Sequence, residues 1–319
     1  MEQNARKMSL SQIRDLLQTV HGVCDRFQLV SLKRQLEAGE SLLAQNPPID
    51  VAILGQFKAG KSSFINSLIG KDILPVGAIP VTTAITRLQY GEMERAVVRH
   101  FDGSTTEAAL SEIADFNSES KNPANEKNVA VVDIELPSLE DYAGLRLVDT
   151  PGLGSVFKYH KSTSENWLPK VGAALLAVSA DRPLSEHDLE LIRELTRHTP
   201  NIILLLTKAD LLSEEQQQEV VHFFKETLLR ELNRELPIYL YSTRIRTDRY
   251  KHQVEAEILN RLAVNRDFEY RRILRYKTQS LLKSCLGYLD IALKTALQAD
   301  QDRDALRDQI INEKVNETQ

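Results

Sequence analysis

The stretch Gly55-Gln56-Phe57-Lys58-Ala59-Gly60-Lys61-Ser62 constrains this chain more than any other, because it fills the GxxxxGK[ST] pattern directly after an apolar run at 51–54. A short buried strand, a glycine-bearing loop and a helix-like stretch at 62–69 are the context that turns the pattern into a phosphate loop. Gly55 and Gly60 let the backbone turn tightly, so that successive N–H groups and a helix N-terminus face one anion. Lys61 is then expected to neutralise β- and γ-phosphates. Ser62 is expected to offer its hydroxyl to Mg²⁺, which keeps most of its waters. The residues expected around a bound nucleotide are Gly55, Gln56, Phe57, Lys58, Ala59, Gly60, Lys61, Ser62 and Ser63.

Three broad classes become improbable on composition. With 319 residues the chain has room for one large α/β domain and an appendage. A net charge of -5 argues against a broad nucleic-acid surface, and no nucleic-acid partner is expected. Cys24 and Cys285 are far apart and lie in no Cys/His cluster, which disfavours a disulfide framework or a zinc site. The longest apolar run, at 173–178, is far too short to span a bilayer. A cytoplasmic chain is expected, meeting the inner face of a membrane, if it meets one, peripherally or through a segment outside this sequence.

Read in order, Ser9 and Gln12 form a capping box before apolar residues that recur at helical spacing from Ile13 to Leu43, so one long amphipathic helix is expected ahead of Pro47-Pro48. After the phosphate loop and its helix, 74–83 reads as a loop that can move. The runs 84–90 and 95–101 read as an antiparallel edge pair turning at Gly91, 106–116 as a helix and 129–136 as a strand. From 173 onward strands and helices alternate, with strands at 173–178, 202–206 and 238–241 and helices at 185–196 and 213–232. Such alternation means βαβ units and a parallel sheet. Past Arg249 the pattern is helical, with Val254, Ile258, Leu262, Ile273, Leu274, Leu281, Leu282, Leu286, Leu289 and Leu293 expected along one face.

Further motifs fall at the carboxyl ends of expected strands, where open α/β sheets bind ligands. In Asp149-Thr150-Pro151-Gly152 the aspartate can hold Mg²⁺ through water, and the Gly152 N–H can reach the γ-phosphate. Thr207-Lys208-Ala209-Asp210 fills the [NT]KxD pattern. There Asp210 can accept from guanine N1–H and the 2-amino group, donors that adenine lacks on that edge, while Lys208 lies along the purine face. Ser242-Thr243 follows the 238–241 strand and occupies the place of a weaker base-contacting motif.

Together these motifs resemble those of translation-factor-related GTPases, and in detail the dynamin superfamily, especially bacterial dynamin-like proteins. The resemblance covers about 50–241 and rests also on Gly60-Lys61-Ser62-Ser63, Leu74-Pro75 and Pro80-Val81-Thr82-Thr83-Ala84, and on long helices flanking both sides. It implies GTP hydrolysis to GDP with Mg²⁺ held by Ser62, Thr82 and, through water, Asp149. It makes Thr82 the switch threonine, with Thr83 as the alternative, and implies a homodimer across the nucleotide face and contact with lipid membranes. Leu153 stands where small GTPases carry a water-orienting glutamine, and Phe57-Lys58 replaces the Gln-Ser pair of eukaryotic dynamins. Lys58 is therefore expected to be catalytic along with Lys61, Thr82 and Gly152.

The expected architecture is α/β: a mixed, mainly parallel sheet with helices on both faces, as in phosphate-loop GTPases, plus a helical neck from both termini. Its expected parts are a neck helix at 1–48, a GTPase domain at 49–249 and a helical neck segment at 250–319. Two rival readings stay open at this point: a regulatory GTP-binding switch acting through a protein or ribosome partner, and an ATP-using phosphate-loop enzyme, which Asp210 disfavours.

Overall fold

The computed structural model describes residues 8–43, 47–77, 84–150 and 167–316. Its centre is a nine-stranded sheet in the order β4-β3-β5-β2-β6-β1-β7-β8-β9. The strands are β1 (Ile49–Gly55), β2 (Ile85–Tyr90), β3 (Arg95–His100), β4 (Thr105–Ala108), β5 (Val129–Leu136), β6 (Leu145–Asp149), β7 (Ala173–Ser179), β8 (Ile202–Thr207) and β9 (Ile238–Leu240). Strands β6, β1, β7, β8 and β9 run parallel, and β2 pairs antiparallel with β6, so the sheet is mixed and mainly parallel as expected.

Alternation along β1 explains the two-faced core. Val51 and Ile53 join one cluster with Phe64, Ile65 and Leu68 of α3 (Lys61–Ile69). Ala52 and Leu54 point the other way, into a cluster with Leu189 and Ile192 of α5 (Glu186–Leu195) and Phe224 and Leu228 of α6 (Glu214–Leu232). Because both faces are buried, β1 and β7 read as continuous apolar runs. Beyond β6 only the face packed on Leu88, Val98 and Ile134 is apolar. The opposite face carries Arg87 and Arg99 on Asp133, each at 2.6 Å.

Two local expectations give way here. Strands β2 and β3 do not pair with each other: β5 lies between them, parallel to β2 and antiparallel to β3. A four-residue connection from Gly91 easily spans the roughly 10 Å across one intervening strand, and Gly91 sits so close to Glu135 that an added Cβ would lie 2.6 Å from its side chain. The helix expected at 106–116 is instead β4, a 3₁₀ turn and the single turn α4 (Ala114–Asn117). Asp102-Gly103 makes a hairpin, with His100 N–H donating to Ser104 O at 2.9 Å, so Thr105 and Thr106 pair with β3. Ladder bonds and β-branched side chains outweigh the helical propensity of the alanines that follow.

The terminal segments pack together as a three-helix bundle. The expected single N-terminal helix is two, α1 (Leu10–Arg26) and α2 (Val30–Leu42). Gln28 takes the left-handed conformation (φ 53°) and Leu29 N–H returns to Cys24 O at 2.9 Å, which closes the helix end and reverses the chain. Ile13, Leu17, Val20, Leu32 and Leu36 then meet Leu274, Leu281 and Cys285 of α9 (Arg266–Asn316).

The C-terminal apolar face is divided rather than continuous. Val254 of α7 (Thr247–Val254), Ile258 in the π-helical turn Glu255–Leu259, Leu262 of α8 (Asn260–Val264) and Ile273 belong to the sheet's core. Leu286 and Leu293, expected on the packed face, are 61% and 60% exposed.

Candidate nucleotide site

The loop between β1 and α3 is built by glycine geometry and cross-strand ties. Gly55 has φ +142°, and a Cβ there would lie 2.3 Å from the carbonyl oxygen of Ala177 on β7. Gly60 is left-handed at φ +81° and caps α3. Thr207 Oγ1 donates to Ala59 O at 2.7 Å and stands 3.2 Å from Val178 O, tying the loop to the ends of β7 and β8. Lys61 is buried, and its Nζ donates to the carbonyl oxygens of Gly55 and Gln56 at 3.2 and 3.1 Å. Burial lowers its ammonium pKa, and Asp149 opposes that shift.

Asp149 ends β6, fully buried, beside this loop. Ser62 Oγ donates to its Oδ2 at 2.9 Å, while Oδ1 is buried and receives no well-formed hydrogen bond among the described residues. Burial pushes its carboxyl up to about 6, against the pull of Lys61, the Ser62 hydrogen bond and the adjacent Thr150 N–H. The next residue is anchored separately, Thr150 Oγ1 donating to Ile53 O at 2.9 Å. A buried carboxylate oxygen that takes no well-formed hydrogen bond among the described residues, next to a hydroxyl, is a hard-oxygen corner that fits a divalent cation. No cluster of three His, Cys, Asp or Glu exists among the described residues, so such a cation would take most of its ligands from water and phosphate.

On the base side, Lys208 is left-handed (φ 55°), and Ala209–Leu211 form a 3₁₀ turn that turns Asp210 out of β8. Ser242 Oγ donates to Asp210 Oδ1 at 2.7 Å and itself accepts from the N–H groups of Arg244 and Ile245 at 3.0 and 3.2 Å. Ser242 thus orients the carboxylate, while its neighbour Thr243 is exposed. Lys58 is exposed and left-handed (φ 62°), its Nζ 5.4 Å from the Phe57 ring centre. Ser63 is half-buried in the first turn of α3. Thr82, Thr83, Gly152 and Leu153 lie outside the described residues.

Sequence reasoning missed the residues that brace the site from behind. Gln217, buried on α6, donates through Nε2 to Ala209 O at 2.8 Å and to Leu212 O at 3.2 Å, holding the base-side turn. Its only sequence signal is a polar residue one step past the Ser213–Gln216 capping box. Gln56, expected near phosphate, directs its side chain to Ser185 and Asp188.

Fold and candidate site are those of a phosphate-loop domain, with the candidate site at the carboxyl ends of β1, β6, β8 and β9. Residues 51–209 match the dynamin family and form a dynamin-family GTPase domain related to bacterial dynamin-like proteins. The chain is 28% identical over 211 residues to an uncharacterised protein of Caldicellulosiruptor, covering 66% of this chain and 52% of that one. It is 29% identical to dynamin-like protein 2 of Campylobacter jejuni, covering 65% and 33%. A solved structure of an oligomerised bacterial dynamin pair superposes with a TM-score of 0.56 at 22% identity, over 94% of this chain and 50% of that chain. This chain therefore spans about half the length of these relatives or less. No helix among the described residues is long and apolar enough to cross a membrane.

Proposed function

We propose that this chain binds GTP with Mg²⁺ and hydrolyses it to GDP and phosphate, in a cycle of self-association across the nucleotide face that acts at membranes. The observation that carries the reading is Asp149: a buried carboxylate at a strand end, bonded to Ser62, beside Lys61, with one oxygen left for a cation. Mg²⁺ bound there would neutralise charge on the β- and γ-phosphates. Lys61 supplies a second positive charge, and the loop N–H groups orient the phosphates for attack by water. Ser62, Asp149 and, by resemblance, Thr82 would hold the cation, with Gly152 at the γ-phosphate.

Guanine selection falls to Asp210, whose orientation by Ser242 supports a fixed pair of acceptors for N1–H and the 2-amino group. Lys58 is proposed as the catalytic cation completed when two domains meet, a role its exposure permits. Self-association and membrane action rest on the kinship with dynamin-like proteins and on the solved pair, which is described as sensing and tethering membranes. The deciding experiment measures GTP turnover against protein concentration, with ATP as competitor and with EDTA. The proposal expects specific activity that rises with concentration, resists ATP and vanishes without metal. Turnover that is flat with concentration removes self-association from the cycle, and turnover inhibited equally by ATP removes the guanine assignment.

A further inference from the structure

The turn between β7 and α5 reaches into the phosphate loop from the side. Gln56 Nε2 donates to Ser185 Oγ at 2.6 Å and lies 3.4 Å from Asp188 Oδ2. Asp188 is fully buried, and its Oδ2 also accepts from Ser185 N–H at 2.9 Å, from Ser185 Oγ–H at 2.7 Å and from Arg182 Nη1 at 2.7 Å. A buried carboxylate fixed by an arginine and a helix cap cannot drift, so the amide it holds is fixed too. The polarity of that amide is settled by chemistry: Oε1 placed against a carboxylate would repel, so Nε2 must face it.

The consequence appears in the backbone of the same residue. The backbone carbonyl of the same Gln56 accepts from Lys61 Nζ at 3.1 Å. Locking the Gln56 side chain therefore locks the peptide that holds the ammonium. The same turn also brings Asp181 Oδ2 to 4.0 Å from Lys208 Nζ on the base side.

We propose that Arg182, Ser185 and Asp188 form a strut that acts through Gln56 to position Lys61, making Gln56 and Asp188 positioning residues for phosphate binding. The inference rests on the nucleotide reading above. The strut acts on the loop itself, so GDP and GTP are affected alike, unlike a residue that meets only the γ-phosphate.

The test is fluorescent GDP and GTP binding with Mg²⁺ on the full chain, alongside thermal melting. Gln56→Ala should weaken both nucleotides about 10-fold, in line with loss of a hydrogen bond to a charged group, with melting close to the parent's. Gln56→Glu should be worse than Gln56→Ala, because it sets a second carboxylate against Asp188. Adding Asp188→Asn to Gln56→Glu restores a donor–acceptor pair with its polarity reversed, and should recover most of the affinity lost. A role confined to packing would show no such recovery.

Affinities within two-fold of the parent for both Gln56 variants, or a double variant that binds no tighter than Gln56→Glu alone, overturn the strut. In either case Lys61→Ala, measured in parallel, still reports on the nucleotide reading: if it abolishes binding, that reading stands without the strut. A parent chain that binds neither nucleotide overturns both.

Discussion

The two glycines of the phosphate loop should fail in different ways when each gains one methyl group. An alanine Cβ at Gly55 would sit 2.3 Å from Ala177 O, 0.7 Å inside the 3.0 Å that real Cβ atoms respect. The atom it meets is backbone in the centre of the sheet, where Gly55 is paired in register with Ala177, so it cannot rotate away. Relief requires β1 and β7 to separate, and the φ of +142° adds strain of roughly 1–3 kcal/mol. Because the atom met is backbone, overpacking falls at the upper end of its range, about 3 kcal/mol, and with the strain Gly55→Ala should cost about 4–6 kcal/mol, a large share of the roughly 5–15 kcal/mol that holds a domain together. At Gly60 the nearest atom to an added Cβ is Thr207 Cβ at 3.6 Å, ordinary contact, and only the left-handed φ of +81° is penalised. That amounts to about 1–2 kcal/mol. Thermal melting of nucleotide-free protein reads the contrast. Gly60→Ala should melt about 2–8 °C below the parent, while Gly55→Ala falls by about 10–20 °C or fails to accumulate folded. Melting of the two variants within 3 °C of each other would refute the assignment of Gly55 to sheet packing rather than to the turn alone.

Other perturbations separate the remaining parts. Lys277 is buried with Nζ donating to the carbonyl oxygens of Pro169, Val171 and His198 at 2.6–2.7 Å; Lys277→Met leaves three acceptors bare and should lower stability in urea by roughly 2–5 kcal/mol, whereas a loss under 1 kcal/mol would mean the cage is not formed in solution. Asp149→Asn should stabilise the metal-free, nucleotide-free protein at pH 8 by about 1–2 kcal/mol while losing its Mg²⁺ dependence. The sign follows from a folded pKa of about 6 against an ordinary 3.8: the contribution of Asp149 to stability is full below pH 4 and lost as pH rises through 6, so the gain on substitution should shrink toward pH 5. Melting curves in EDTA across that range check it, and an equal offset at pH 5 and pH 8 would contradict it. Lys58→Ala should lower kcat by about 10³- to 10⁵-fold if Lys58 acts as a transition-state cation, with the GTP dissociation constant within a few-fold; normal kcat at saturation would make it a binding charge only.

The nucleotide half of the fold was legible because its signals are local and strong. Continuous apolar runs at β1, β7 and β8 leave little choice but buried parallel strands, and each motif sits where its strand ends. Ser185 and Ser213 marked the helix starts to the residue, since a capping box states its geometry in sequence. What was not legible depends on partners distant along the chain. Nothing in residues 84–101 announces that β5, some thirty residues later, will insert between β2 and β3. The break at Gln28 was equally hidden, because a left-handed glutamine leaves no mark in a pattern of three- and four-residue steps. At the site, the Gln56 side chain is held by Ser185, 129 positions away, a partner that its place in the loop does not announce.

The division of the C-terminal helices between two cores bears on how the terminal helix bundle is joined to the site. Ile273 and Leu274 are adjacent, yet the first packs into the sheet's core and the second into the bundle with α1 and α2. Helix α9 is thus rooted in the nucleotide domain before it becomes part of the bundle. The root is also polar: Arg272 donates to Asn201 Oδ1 at 2.9 Å, and Lys277 grips both the residues leading into β7 and the end of the α5–β8 connection. These contacts lie at the amino ends of β7 and β8, while the phosphate loop meets their carboxyl ends through Ala177 and Thr207. The same two strands therefore touch the phosphate loop at one end and the root of the terminal helix bundle at the other. A close-packed strand transmits displacement along its length with little compliance. Any shift of β7 or β8 caused at the loop must either be absorbed in the core or appear at the root of α9.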